Sequence, residues 1–478
     1  MLVKTTALLM KSFIERKEFF LYPYGSIEAI TDIVLHKQLW FKEFFIEFID
    51  DPEFLQSPLE HQKNRIYPSI KEIQLRNRYK KLFFYKILLV EQIEHEEQLN
   101  QLKELHQWIS EEKVNFHLIV LDLSTLQVIY HQSNFEDDEN ILPSIQTWLP
   151  QVPVENLDSI DLLDIERTTK QTKGYFFPKK RFYFTNVLLA INVLIFIYMS
   201  ITGSTTDSEY LIAFGAKYNP LIAAGEYYRL FTSMFLHIGS PHLMFNSYAL
   251  YMLGKDVEAI YGTFKFLIIY VLAGLFGSLG SFLFSHAVSA GASGAIFGLI
   301  GAYMYFGVRR PAIFSARYGL NLVSMLVINI IFGLTVPGID NFAHLGGFLG
   351  GYLSSWALGL HKEKLLQKKH IVPQMLIMLL IVGSLLTGVK IQQSTWEYYW
   401  YKGVKELQQD HITEGQSYLE KGVSLNPEVG EFYYNLAYVH YRKGDIPTAI
   451  EYLNQAISLD PKDDKAQEFL QELIRIQQ

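Results

Sequence analysis

Residues 182–201 read FYFTNVLLAINVLIFIYMSI, twenty positions without a charge. As a helix rising about 1.5 Å per residue, this stretch matches the roughly 30 Å hydrocarbon core of a bilayer. Basic residues crowd just before it: Arg167, Lys170, Lys173, Lys179, Lys180 and Arg181. Further apolar segments follow at 242–254, 266–284, 292–308, 318–336, 342–360 and 371–389, the first of these short and partly polar. The pattern predicts seven spans. The first basic cluster places the N-terminus inside. The loops with Arg309, Arg310 and Arg317, and with Lys362, Lys364, Lys368 and Lys369, then also fall inside. The long loop 202–241 has only Lys217 and Arg229, as an outside loop should, and the C-terminus emerges outside.

The flanks hold most of the charge, and a net charge of −7 leaves no basic footprint for nucleic acid. The chain has no cysteine, which excludes disulfides, thiolate metal sites and a cysteine nucleophile. Met1–Lys17 offers one short apolar run, Ala7–Met10, too brief for a signal or a span. Residues 1–165 read as a soluble cytoplasmic α/β domain. Leu82–Val90, Phe116–Leu123 and Gln127–Gln132 have strand character, and Glu91–Glu112 is helical between the first two. The acidic run Glu136–Glu139 suits a divalent cation, or simply a solvated loop leading into a helix at 141–149.

The tail repeats itself. Ser424-Leu425-Asn426-Pro427 and Ser458-Leu459-Asp460-Pro461 are offset by 34 residues, and Tyr418-Leu419 matches Tyr452-Leu453. Small residues also recur, Gly403 and Gly422 being followed one repeat later by Ala437 and Ala456. A helix–turn–helix period of this length resembles tetratricopeptide repeats, here about two with a capping helix at 466–476. Such arrays bind protein or peptide partners, associate with themselves, or serve as appendages without a ligand.

Polar groups inside spans are costly and therefore candidates for function. His237, His242 and Asn246 lie near the second span, Ser293 opens the fourth and His344 opens the sixth. By the topology above, these segments all start at the outer face, where water is available. Ser293 lies in Gly291-Ala292-Ser293-Gly294, where glycines expose the backbone and a helix N-terminus follows. Alone, this is equally a packing motif. His344 lies in Ala343-His344-Leu345-Gly346-Gly347-Phe348-Leu349-Gly350-Gly351. Its small-xxx-small face matches Gly294 and Gly298 of the fourth span, and packing the two would bring Ser293 and His344 together. An imidazole there would take the hydroxyl proton. His242 and Asn246, four apart on one helical face, would donate to an oxyanion, or act as interhelical polar glue. His237 reads as a loop-organising hydrogen bonder.

With these residues in place, the block 182–360 resembles the rhomboid intramembrane serine proteases. The resemblance rests on His242-xxx-Asn246, Gly291-Ala292-Ser293-Gly294 and Ala343-His344-xx-Gly347-xxx-Gly351. It implies an α-helical six-helix core and a Ser293–His344 dyad, with the Ser293 amide, His242 and Asn246 stabilising the oxyanion and no cofactor or core metal. It implies structural roles for Arg229, bracing the outer loop, and for Glu258, at the inner end of the second span. Gly291, Gly294, Gly347 and Gly351 would shape the site. Phe297 stands where many members have tyrosine and keeps the ring that stacks on histidine; Tyr228 stands where tryptophan is common. The layout also resembles bacterial members with a soluble N-terminal domain, one extra helix and C-terminal repeats.

The expected organisation is a cytoplasmic α/β domain (1–165), a basic linker (166–181), the catalytic membrane core (182–360), a basic loop with a seventh helix (361–389), and an extracytoplasmic all-α repeat domain (390–478). The substrates would be transmembrane proteins in the cell membrane. His-Glu-x-x-His is absent, and Gly338-Ile339-Asp340 only approaches the aspartyl-protease motif. An inactive relative escorting membrane proteins is the alternative; nothing suggests the internal two-fold repeat of many transporters.

Overall fold

A computed structural model describes the chain except residues 1, 23–32, 40, 52, 78–79, 91–95, 152–160, 173–181, 362, 364–367, 478 and scattered positions between 318 and 337. It divides into two compact units: residues 1–178 with 307–324, and residues 179–306 with 325–478.

The first unit is built on a six-stranded sheet. Its strands are β1 (Phe20–Leu21), β2 (Val34–Gln38), β3 (Lys42–Ile49), β4 (Lys81–Val90), β5 (Asn115–Asp122) and β6 (Gln127–Ser133), lying side by side in chain order. The inner pairs β3–β4 and β4–β5 are parallel, and the outer pairs antiparallel. Parallel strands need crossovers, here helices α2 (Leu59–Arg76) and α3 (Glu96–Glu111). These cover one face, burying Phe45, Ile70, Phe84 and Leu105. Helices α1 (Leu2–Lys17) and α4 (Ile141–Trp148) cover the other with Phe13, Phe44, Phe83 and Ile145. With both faces covered, successive residues of β3 are buried whichever way they point. Helix α5 (Leu162–Thr172) packs on α1 and β1, and its Glu166 accepts from the Leu21 amide at 3.0 Å. The stretch expected to be a linker from 166 is thus helical to Thr172; its remaining basic residues, from Lys173, lie outside the described residues. The acidic run is taken up by protein partners: Asp137 by the Tyr85 hydroxyl, Asp138 by Lys42 and Glu139 by Lys37. Among the described residues no group of three metal-ligating side chains forms.

The second unit opens with α6 (Tyr183–Thr202), whose first amides are capped by Glu258. Short helices α7 (Ser208–Ala213), α8 (Asn219–Ala223) and α9 (Arg229–Thr232) follow, then α10 (Gly239–Tyr261), α11 (Thr263–Phe284) and α12 (Ser293–Arg309). The expected short second span is a full 23-residue helix, stopped where Gly262 takes φ +84°. A short helix α13 (Pro311–Arg317) belongs to the first unit and packs on β2. The expected fifth span, 318–336, falls largely outside the described residues. Then come α14 (Asn341–Leu358) and α15 (Lys368–Gln392). Among the described residues, α6, α11 and α15 are long and apolar enough to cross a membrane. Helices α10, α12 and α14 occupy expected positions but carry the polar and small residues that lower their apolarity.

Helices α16 (Trp396–Gln408), α17 (Ile412–Leu425), α18 (Gly430–Arg442), α19 (Ile446–Leu459) and α20 (Asp464–Gln477) form antiparallel pairs and a cap. Small residues let them cross. A Cβ on Gly415 would lie 2.6 Å from Leu407, and Ala437, Ala449 and Ala456 are fully buried.

Candidate active site

Ser293 is the first residue of α12, so the amides after it have no intrahelical partner. The approach to it is fixed by Gly291, whose φ of +149° suits glycine alone and whose amide donates to the Ser233 carbonyl at 2.9 Å. The missing Cβ leaves room for two side chains of α10. One built at Gly291 would lie 3.0 Å from His242 Nε2 and 3.6 Å from Asn246 Nδ2. His242 Nδ1 accepts from the Ile238 amide at 3.4 Å, which assigns the ring proton to Nε2, the nitrogen facing Gly291. Asn246 is buried, and its Nδ2 has no partner among the described residues. Two donors therefore converge on the backbone just ahead of Ser293. A small cavity beside the serine is lined by Ser233, Gly277, Ser278, Gly291, Ser293 and Gly294.

His344 lies in the first turn of α14, which Asp340 caps by accepting from the Ala343 amide at 3.0 Å. Glycines bring α14 against two helices at once. A Cβ on Gly347 or Gly351 would collide with the carbonyl of Gly294 or Gly298 in α12. On α11, a Cβ at Gly277 would lie 2.8 Å from the Ala343 carbonyl, and one at Gly280 2.7 Å from that of Phe342. A Cβ on Gly294 would lie 3.3 Å from the Ala343 carbonyl, so the neighbours of Ser293 and His344 approach closely. The His344 ring stacks on Phe297.

The remaining candidates surround this centre. Arg229 is buried and donates to the carbonyls of Ile212 (2.5 Å) and Ala216 (3.2 Å), with Glu226 as its ion-pair partner. Its neighbour Tyr228 is exposed and donates to Glu226. His237 is fully buried, meeting His242 edge-on at 5.4 Å. Burial, aided by the neighbouring His242, pushes its pKa down to about 3, so it is a neutral packing ring. Glu258 lies near the opposite end of α10 from His242, where it caps α6. Sequence reasoning did not single out Gly277 and Gly280 of α11, and it named Asp340 only beside the aspartyl-protease motif and Lys217 only as a cation of the outer loop. Three-residue glycine spacing was the available signal for the first two.

Comparisons with known proteins agree with this region. The Rhomboid domain family matches residues 224–361, and the Tetratricopeptide repeat family residues 430–463. Rhomboid protease GluP of Bacillus subtilis is 43% identical over 220 residues, covering 46% of this chain and 43% of GluP. The putative rhomboid protease YdcA of the same organism is 33% identical over 149 residues, 31% of this chain and 75% of YdcA. Rhomboid protease AarA of Providencia stuartii is 33% identical over 209 residues, 38% of this chain and 74% of AarA. The alignment with GluP thus spans under half of either protein.

Proposed function

The chain belongs to the rhomboid family, and on that premise we propose that it is an intramembrane serine protease using Ser293 and His344. The observation that carries this reading is the close approach of α14 to α12, where a Cβ on Gly347 would collide with the Gly294 carbonyl, which makes neighbours of the serine and histidine elements.

In the proposed reaction, Ser293 Oγ attacks the carbonyl carbon of a substrate peptide bond and His344 takes the hydroxyl proton. The oxyanion receives hydrogen bonds from the Ser293 amide, His242 Nε2 and Asn246 Nδ2. The C–N bond then breaks, the proton passes from His344 to the leaving amine, and an acyl-enzyme remains. Water, activated by His344, releases the acid and restores the serine. The cavity beside Ser293 is polar enough to admit that water.

The proposed core has six spanning helices, α15 making a seventh. The N-terminal domain, residues 1–165, would face the cytoplasm and the repeat domain the outside. Supporting the second placement, α16 packs on α8, and Glu397 of α16 pairs with His286 at 3.2 Å in the loop ahead of Ser293. The repeats would therefore share a membrane side with the serine. Substrates would be transmembrane proteins, with the repeats recruiting protein partners.

Cleavage of a single-span substrate in liposomes tests the reading, alongside covalent labelling by a fluorophosphonate. Both are expected for the wild type and absent in Ser293→Ala. A folded wild type that neither cleaves nor labels would leave the escort role standing instead.

A further inference from the structure

A lysine between α7 and α8 is buried where a charge is hard to accommodate. Lys217 is 1% exposed. Its ammonium donates to the carbonyls of Ser285 (2.7 Å) and Ala287 (3.1 Å). Its backbone exchanges two hydrogen bonds with Ser289, at 2.9 and 3.1 Å. Asn219 Nδ2 adds another donor to the Ser285 carbonyl at 3.0 Å. These contacts tie down residues 285–289, the segment that delivers the chain to Gly291 and Ser293.

Burial pushes the Lys217 pKa down to about 8, with Asp340 opposing that shift. Asp340 accepts from the Ala343 amide and from the Ser281 hydroxyl, which ties the first turn of α14 to α11. A buried charge is hard to retain unless polar partners surround it. Here the carbonyls of Ser285 and Ala287, in the segment that leads to Ser293, provide those partners. A neutral side chain of the same length would fill the space and lose both bonds.

We propose that Lys217 is a positioning residue, holding the loop ahead of Ser293. The role rests on the protease reading above. Its importance follows from how steeply catalysis depends on placement: a shift of about 1 Å between reacting groups is worth on the order of 100-fold in rate. Lys217 would set that register without touching substrate.

The test uses the full chain in liposomes with a single-span substrate, measuring kcat, KM and thermal unfolding. Lys217→Met is expected to lower kcat by about 100-fold while KM stays within about two-fold. Lys217→Arg keeps the charge on a larger, planar group, and about a 10-fold loss is expected. A Lys217→Met protein with wild-type kcat overturns the proposal. Should Lys217→Met not fold, Lys217→Arg decides: reduced kcat at unchanged KM and unfolding temperature supports the role, and wild-type kcat overturns it. Ser293→Ala separates the two ideas. A silent wild type, or an active Ser293→Ala, sinks the protease reading itself. An active wild type with silent Ser293→Ala and fast Lys217→Met sinks only the part given to Lys217.

Discussion

Phe297 lies flat on His344, ring centroids 4.1 Å apart and planes 11° from parallel. The two residues come from different helices, so the stack fixes the imidazole's plane and leaves rotation within it. Stacked aromatic pairs contribute about 0.5–1.5 kcal/mol beyond their buried area. Phe297→Ala is expected to lower kcat by about 3- to 10-fold on that basis, with Phe297→Tyr staying within about two-fold. Steady-state cleavage by the two variants checks this. A Phe297→Ala enzyme as fast as the wild type would mean that α14 orients the ring unaided.

Asn246 holds an unpartnered buried donor toward Gly291, an arrangement that destabilises a resting protein and suits a transition-state contact. Asn246→Ala is expected to lower kcat by about 100-fold with little change in KM, and to leave the unfolding temperature unchanged or slightly higher. A drop in stability at constant kcat would assign Asn246 to helix packing instead.

Gly347 has no room for a methyl group, while Gly383 in α15 has nothing within 4 Å of where a Cβ would go. Gly347→Ala should force α12 and α14 apart, destabilising the chain by about 1–3 kcal/mol and abolishing cleavage. Gly383→Ala should leave both unchanged. Thermal unfolding and cleavage of the pair, measured together, separate a close approach from a general aversion to substitution.

Gln393, which follows α15, donates to the Ala223 carbonyl of α8 at 2.9 Å. One such bond contributes about 1 kcal/mol, or roughly a five-fold change in a local opening equilibrium. Gln393→Ala is expected to speed proteolytic nicking between α15 and α16 by about that factor. An unchanged nicking rate would show the helix packing holds the junction by itself.

The Lys217 pKa of about 8 predicts opposite trends for activity and stability. As pH rises through about 8, the ammonium loses its proton and its hold on the loop, so kcat should fall; Lys217→Arg should lack that limb. Stability runs the other way. Between about 8 and the ordinary value of 10.5, the unfolded chain binds the extra proton, so wild-type stability should rise relative to Lys217→Met across that window. Parallel pH profiles of kcat and unfolding temperature check both signs.

The parts that could be read from the sequence were those whose partners share a periodic pattern. Gly294 and Gly298 announce a close-packing face, and so do Gly347 and Gly351; the structure puts these faces together. The repeat helices announced themselves by their offset. The second span was harder: His242, Asn246, Lys255, Asp256 and Glu258 interrupt its apolarity, so its true length, 239–261, was hidden. Strand β3 escaped because Glu43 and Glu47 break the run KEFFIEFI. Their partners, Lys80 and Lys86, stand 37 and 39 residues on and only meet them in the folded sheet. Lys217 looked like a solvated loop lysine for the same reason: its acceptors are 68 and 70 residues away.

Only Gln393, Ser394 and Thr395 separate α15 from α16, and each is tied down: Gln393 to Ala223, Ser394 by its amide to Ile391, and Thr395 as the cap of α16. The junction has no slack. A tethered adaptor samples a volume, but a rigid one works as a ruler. If the repeats grip a substrate's exposed segment, the distance from that grip to Ser293 is set by the fold. The scissile bond would then fall at a fixed count of residues from the captured sequence. Lengthening the junction with flexible glycines would blur the cut into a ladder of neighbouring products.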